Sequence, residues 1–372
     1  MKKILHISKY YLPHTGGIED VCYNIVSSMS SEDEVEQQVI CFNDSQKTIY
    51  DQYEGIRVVR VGYTIKIASQ AVSVSYRKEL KKILQSFRPD VIHIHVPNPL
   101  VVFYLLPILS DKVKLVVHWH SDIVAQKKLY MLVKHSETKL LKRADMIIAT
   151  SPNYIEGSKP LFAFKNKTIV LQNIINPVKF QYTEKIRLKV EQIKEKYNGR
   201  PIVLFVGRHV PYKGIQYLLE TTLLVSESCE FLIGGSGPLT ESLKDINDAS
   251  NVHYIGRIPE DDLAAYYYAA DVFAFPSITK NEAFGVVLAE AMYCYTPAVT
   301  FTIEGSGVNW VNVNNLTGLE VENGNAYQFA QALDRLLKDE ILRKKFAEQA
   351  RKRVEDLFVL ERIKDKLKEI YV

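Results

Sequence analysis

The chain has 372 residues, 47% of them apolar and 24% charged, which is ordinary globular material but long for one core, so two domains are expected. Lys plus Arg number 47 against 43 Asp plus Glu, and the resulting +4 is too slight to argue for a nucleic-acid partner; no arginine-rich tract or base-stacking motif adds to it. Cys22, Cys41, Cys229 and Cys294 form no C-x-x-C pair and read as reduced, buried thiols of a cytoplasmic protein.

In chain order, Lys3-Ile4-Leu5-His6-Ile7 reads as a first strand, its apolar run being too short for a secretory leader. A loop ending in Gly16-Gly17 follows, then an apolar-periodic helix from Ile18 to about Met29. Further strands are expected at Gln38–Phe42, Arg57–Val61, Val91–His95, Lys114–Trp119 and Met146–Ala149. The longest apolar stretch, Leu100 to Leu109, contains Pro107 and falls far short of the ~20 residues that span a bilayer. A soluble protein is expected, or one that sits at most on a membrane surface.

The charged segment Glu184–Arg200 reads as the first helix after a linker, which places the first domain over residues 1–178. The opening order then returns: strand Ile202–Gly207, loop Arg208–Gly214, helix Ile215–Leu224. Strands at Phe231–Gly234, Val252–Ile255, Val272–Phe275 and Ala298–Phe301 complete a second domain over 179–357. The last stretch, 358–372, has helical periodicity at Leu360, Ile363, Leu367 and Ile370. Strands alternating with helices predict an α/β chain of two doubly wound, Rossmann-like domains. Ligands of such sheets bind beyond the carboxyl ends of the strands, and the cleft between two of them is the default site.

Most of the chemistry lies between Ser277 and Ala291. Helix formers run from Val286 to Met292, so a helix is expected to begin near Phe284 or Gly285, with Glu282 in its entry loop and Glu290 about a turn inside. Were the whole span helical, the two carboxylates would lie ~12 Å apart, the reach from a hexose across a diphosphate to a ribose. Helix N–H groups between them suit a phosphate. Arg208 and Lys213 follow a strand and precede a helix, where two cations could neutralise a departing diphosphate or simply be solvated. Gly16-Gly17 and Gly234-Gly235-Ser236-Gly237-Pro238 allow close backbone approach to phosphate, or are plain turns.

In His118-Trp119-His120-Ser121-Asp122 the strand period puts three polar side chains on one face. Packing and metal binding both remain open there, with His93 and His95 assigned to another strand. No D-x-D occurs, and Glu260-Asp261-Asp262 reads as first-turn charge on a helix. The segment Gln126 to Arg143 interleaves cations with apolar residues, which suits an anionic membrane surface or a solvated helix face.

Ser277…Glu282-Ala283-Phe284-Gly285…Glu290-Ala291-Met292 and Gly207-Arg208…Lys213-Gly214 resemble the signatures of the retaining GT-B glycosyltransferases, family four, of bacterial cell-surface glycan synthesis. Ala283 stands where the family more often has glycine, and Glu304 lies in a local variation. The resemblance covers nearly the whole chain. It implies two domains facing across a cleft, with the C-terminal helix packed back on the first, acceptor-side domain. It assigns Glu282 and His120 to the donor sugar, Arg208 and Lys213 to the diphosphate, and Glu290 to the ribose. Gly16, Gly17, Gly237, Arg257, Ile258, Phe284, Gly285, Val286 and Val287 complete the donor site, with the base held by backbone near Arg257 and Ile258. It further implies hexosyl transfer from a nucleotide-diphosphate sugar to a glycan or lipid-linked acceptor, with retention, no cofactor and no metal. Localisation would be cytoplasmic or peripheral at the inner membrane face. Two other classes compete: a metal-dependent hydrolase on His118, His120 and Asp122, and a non-catalytic partner of the same fold.

Overall fold

The computed structural model describes residues 1–14, 16–67, 70–123, 127–246 and 249–371, with backbone alone at 67, 70 and 127–132. It divides into one unit of Met1–Ile174 with Leu360–Val372 and a second of Ile175–Val359. These divisions fall a few residues from 178 and 358. Ile175 and Val359 form a parallel bridge at the ends of the second unit, with the Ile175 N–H donating to the Phe358 carbonyl at 2.8 Å.

The first unit holds β1 (Lys2–Ile7), β2 (Val35–Phe42), β3 (Ile49–Tyr53), β4 (Ile56–Val61), the hairpin β5 (Ile65–Ile67) and β6 (Gln70–Val72), β7 (Val91–Val96), β8 (Lys114–Trp119), β9 (Met146–Ala149) and β10 (Thr168–Val170). Eight of these form one sheet in the order β10-β9-β8-β7-β1-β2-β4-β3. Its pairings are parallel except β3 on β4, where mostly exposed residues end the sheet. From β1 the chain first builds outward through β2, then returns to β7 on the other flank. Helices cover parallel strands on both faces, which is why β7, VIHIHV, is buried along its whole length.

The second unit repeats the plan with β11 (Ile202–Val206), β12 (Glu230–Gly234), β13 (Val252–Gly256), β14 (Val272–Phe275), β15 (Ala298–Phe301) and β16 (Gly318–Val321). Its sheet runs β13-β12-β11-β14-β15-β16, parallel throughout. The direction of winding reverses between β11 and β14, which places the switch point of the sheet at the carboxyl edge of those two strands.

The C-terminal helix, Lys364–Tyr371, belongs to the first unit. Ile363, Leu367, Ile370 and Tyr371 are buried against Ile4, Val21, Ile25 and Met29. Each such side chain contributes about 1.5–3 kcal/mol by leaving water. The tail is also tied by polar contacts: Tyr371 Oη lies 2.7 Å from His93 Nδ1, and Lys364 and Lys368 pair with Glu32 at 2.6 and 2.7 Å. Among the described residues no helix is long and apolar enough to cross a membrane. The expected helix Gln126–Arg143 spans Lys127–Arg143, but Gln126 and the side chains of 127–132 lie outside the described residues.

Candidate active site

At the switch point of the second sheet, the loop after β11 meets the loop after β14. Gly214 has φ +63°, and a Cβ there would lie 2.1 Å from the Pro276 carbonyl oxygen, so only glycine lets the two loops touch. The Ile278 N–H donates to the Tyr212 carbonyl at 3.0 Å. This contact seats Lys213, which is 7% exposed, with Nζ 5.0 Å from the Phe275 ring centroid and in an ion pair with Glu282 Oε2. The two residues are 69 positions apart in sequence.

Glu282 is braced from two further sides. Ser277 Oγ donates to its Oε2 at 3.4 Å, and Ser306 Oγ donates to its backbone carbonyl. The Gly307 N–H donates to the Ala283 carbonyl at 2.9 Å, so the turn after β15 props the whole entry loop. Removing one partner of a buried ion pair typically costs about 3–5 kcal/mol because the other charge is left uncompensated. The pair thus stores a cation and a carboxylate in fixed positions, each with hydrogen-bonding capacity left for a ligand.

The helix begins at Val286, after Gly285 in the left-handed region at φ +87°. The span from Glu282 to Glu290 is therefore a turn followed by a helix, and the ~12 Å expected of a continuous helix does not apply. Glu290 is aimed by Tyr267, whose hydroxyl donates to its Oε2 at 2.9 Å. Burial, and then the carboxylate, push the Tyr267 phenol well above its ordinary pKa, so it stays a donor. Phe284 does not line the crevice with its side chain: it is 2% exposed and packs edge-on against Phe358 at 5.3 Å. An apolar ring at that loop end is better buried than wet, and only its backbone is left to face a ligand. Val286 and Val287 are half-buried.

The loops after β11, β12 and β13 interlock. A Cβ on Gly235 would lie 1.9 Å from the Gly207 carbonyl oxygen, and one on Gly237 2.5 Å from that of His209. Ile258 packs on Gly234, where a Cβ would meet its Cδ1 at 2.9 Å, while Arg257 is exposed. Arg208 is exposed as well; its carbonyl accepts from the Val210 N–H at 3.0 Å, and its guanidinium has no hydrogen-bond or ion-pair partner among the described residues.

In the first unit, the helix Gly17–Met29 starts directly after Gly16, which is extended at φ 175°, and Glu19 and Asp20 occupy its first turn. His120 lies one residue past β8, 5% exposed, with Nε2 2.9 Å from His95 Nδ1. Assigning His93 and His95 to another strand does not separate them from His118 and His120. The parallel register of β7 on β8 sets His95 beside His118, and β1 on β7 sets His6 beside His93. The rings follow one another in a file, with centroids 5.5 Å (His6–His93, tilted), 4.6 Å (His93–His95), 5.2 Å (His95–His118) and 4.1 Å (His118–His120) apart. Burial drives every one of them below the ordinary imidazole range, His6 to about 4 and His120 to about 3.

Asp122 does not share their face. The strand ends at Trp119, so its period of two no longer applies, and the Asp122 carboxylate accepts from Trp119 Nε1 at 2.9 Å and Ser158 Oγ at 2.7 Å. His118, His120 and Asp122 therefore do not form a ligand set. Ligand atoms of His93, His95 and His118 do come within 4.8 Å of one another. His93 Nε2 lies 3.3 Å from His118 Nδ1, so these two nitrogens are joined by a hydrogen bond between neutral rings.

Sequence reasoning did not single out Tyr267 or Thr240, and it gave no site role to Ser306 or His95. Ser306 sits in a recognisable Gly305-Ser306-Gly307 turn, which was its one local signal. The others act through partners far away in sequence.

Two doubly wound parallel-sheet units define a GT-B glycosyltransferase fold. Over its whole length the chain superposes on sucrose-phosphate synthase from Thermosynechococcus elongatus, with TM-score 0.82, 22% identity and 98% of that chain covered. It likewise matches Anabaena HepE in complex with UDP and glucose, with TM-score 0.79, 18% identity and coverage of 100% of this chain and 99% of that one. The chain belongs to the glycosyl transferases group 1: that family matches residues 187–353, and glycosyltransferase family 4 matches residues 15–179. Among curated relatives, D-rhamnosyltransferase WbpZ of Pseudomonas aeruginosa is 30% identical over 89% of this chain and 85% of its own length. O-antigen chain mannosyltransferase C of Escherichia coli is 28% identical over 99% of this chain and 98% of its own.

Proposed function

We propose that this glycosyltransferase moves a sugar from a nucleotide-diphosphate donor to a hydroxyl of a glycan or lipid-linked acceptor in surface polysaccharide or lipopolysaccharide synthesis, with retention at the anomeric carbon. The relatives that act as an O-antigen chain mannosyltransferase and a D-rhamnosyltransferase favour such an acceptor, and the fold neighbour with UDP and glucose favours such a donor. The observation that carries the reading is the ion pair between buried Lys213 and half-buried Glu282 at the switch point of the second sheet, with Lys213 on the same loop as the exposed Arg208.

Departure of a nucleoside diphosphate places growing negative charge on phosphate oxygens. Lys213, already held by Glu282, keeps donors for those oxygens, and Arg208 adds a planar fork that suits them. Glu282 then accepts from hydroxyls of the sugar beside the breaking bond, while Glu290, aimed by Tyr267, takes the ribose hydroxyls. His120, neutral at physiological pH, hydrogen-bonds the donor sugar. In a retaining transfer the acceptor attacks on the face from which the leaving group departs, and a donor phosphate oxygen takes its proton. The side chains then supply positioning and charge stabilisation rather than a covalent nucleophile.

Two cations in this position do the neutralising that a D-x-D-bound metal does elsewhere, so turnover is proposed to be independent of added divalent metal. Removing one charge-stabilising group typically costs ~10²–10³ in turnover. Arg208→Ala is thus expected to lose ~10²–10³ in transfer while keeping its fold, and excess chelator to leave wild-type transfer unchanged. A folded Arg208→Ala protein with wild-type activity would sink the assignment, and loss of activity in chelator would sink metal independence.

A further inference from the structure

His209 follows the exposed Arg208 directly, yet it is 1% exposed. Its backbone N–H donates to the Ser236 carbonyl at 3.0 Å, and its own carbonyl accepts from the Leu239 N–H at 3.1 Å. Its ring Nδ1 lies 3.0 Å from Thr240 Oγ1, the same oxygen that accepts from the Gly237 N–H at 2.8 Å. The glycine at 237 permits this closeness, since a Cβ there would sit 2.5 Å from the His209 carbonyl oxygen. Burial lowers the imidazole pKa more than the Gly234 carbonyl raises it, so the ring is neutral at physiological pH.

We propose that His209 is a positioning residue for the donor. By tying the loop after β11 to the loop after β12 through Thr240, it holds Arg208 where its guanidinium meets the diphosphate. This rests on the reading of Arg208 as a diphosphate group. Arg208 has no side-chain partner to direct it, so its aim comes from the backbone on either side. That backbone is fastened before it by the Gly207 N–H to the Gly234 carbonyl at 3.1 Å, and after it by His209. A loop fastened in advance loses less freedom when the anion arrives, which is a gain in affinity without a new contact. Space filling alone would be served equally by Phe or Leu at 209. The hydrogen bond to Thr240 instead favours Asn, whose side-chain N–H can stand where the Nδ1–H stands.

The test uses the full chain with His209→Phe, His209→Asn, Thr240→Val, Arg208→Ala and His209→Phe combined with Arg208→Ala. Amide hydrogen exchange across 207–214 and 235–240 is read without ligand, and UDP and GDP binding by calorimetry. Losing one net hydrogen bond predicts about two- to tenfold weaker binding of the better nucleotide in His209→Phe and in Thr240→Val, with faster exchange in both loops. His209→Asn should stay within about twofold of wild type. In the Arg208→Ala background, His209→Phe should change affinity no further, because the two act through one group. The proposal is overturned by unchanged exchange, by His209→Asn binding as poorly as His209→Phe, or by a full additive loss in the double variant. A wild-type protein that binds neither nucleotide overturns the donor reading and this proposal with it. Wild-type binding matched by the His209 variants overturns this proposal alone.

Discussion

Acidification from pH 8 to pH 5 should cost the first unit about 4 kcal/mol through His6 and His120 alone. An unfolded histidine titrates near 6.5, whereas burial holds His6 at about 4, partly offset by its hydrogen bond to Gln37, and His120 at about 3. The folded state therefore binds fewer protons. Stability is fully present above about pH 6.5 and falls as pH drops, until the folded pKa itself is reached. At pH 5 the unfolded ring is about 1.5 pH units below its pKa while the folded ring is still neutral, which is about 2 kcal/mol for each histidine. His93, His95 and His118 shift in the same direction and steepen the loss. The assay is urea unfolding read by pulse-labelled hydrogen exchange in peptides covering β1, β7 and β8, so that the first unit is followed by itself. His6→Gln keeps a polar group for Gln37, 3.0 Å from His6 Nε2, but cannot titrate. Relative to wild type, this variant should gain about 2 kcal/mol between pH 8 and pH 5. Equal pH dependence in wild type and His6→Gln would refute the reasoning.

Other substitutions test the geometry of the second unit and the tail. Gly214→Ala, forced to φ +63° with a Cβ 2.1 Å from the Pro276 carbonyl oxygen, should destabilise the second unit by at least about 1–3 kcal/mol in denaturant and separate Lys213 from Glu282. Tyr267→Phe releases Glu290 and should weaken a ribonucleoside diphosphate more than its 2′-deoxy counterpart in calorimetry; equal losses would argue against the ribose role. Deleting residues 360–372 strips Leu367, Ile370 and Tyr371 from the first unit, at about 1.5–3 kcal/mol each, and should lower the thermal stability of that unit markedly.

Apolar runs such as Ile202–Val206 and Val272–Phe275 were legible as strands because both faces of a parallel sheet are buried. The edge strand Ile49–Tyr53 was not, since exposed residues in an antiparallel margin leave no such run. Arg208, Lys213, Glu282 and Glu290 could be picked out because each stands in a short stretch with its own spacing. The pairing of Lys213 with Glu282, and of Tyr267 with Glu290, has no local signal: it arises from strand order and from glycines that let loops touch. The file of histidines shows the same limit. Each H-x-H was visible on its strand, but the register that stacks the two strands is a property of the sheet. Asp122 misled because period-two reasoning was carried past the end of β8.

Release of nucleoside diphosphate from a panel of nucleotide-diphosphate sugars, with and without glycan or lipid-linked acceptors, is the most direct measurement. It should be made on wild type, Lys213→Met and Glu282→Gln, with each variant's fold checked by circular dichroism. The account predicts acceptor-dependent release from at least one donor by wild type, and ~10²–10³-fold less from either folded variant. Release by the variants at the wild-type rate, or none by wild type from any donor, would contradict it.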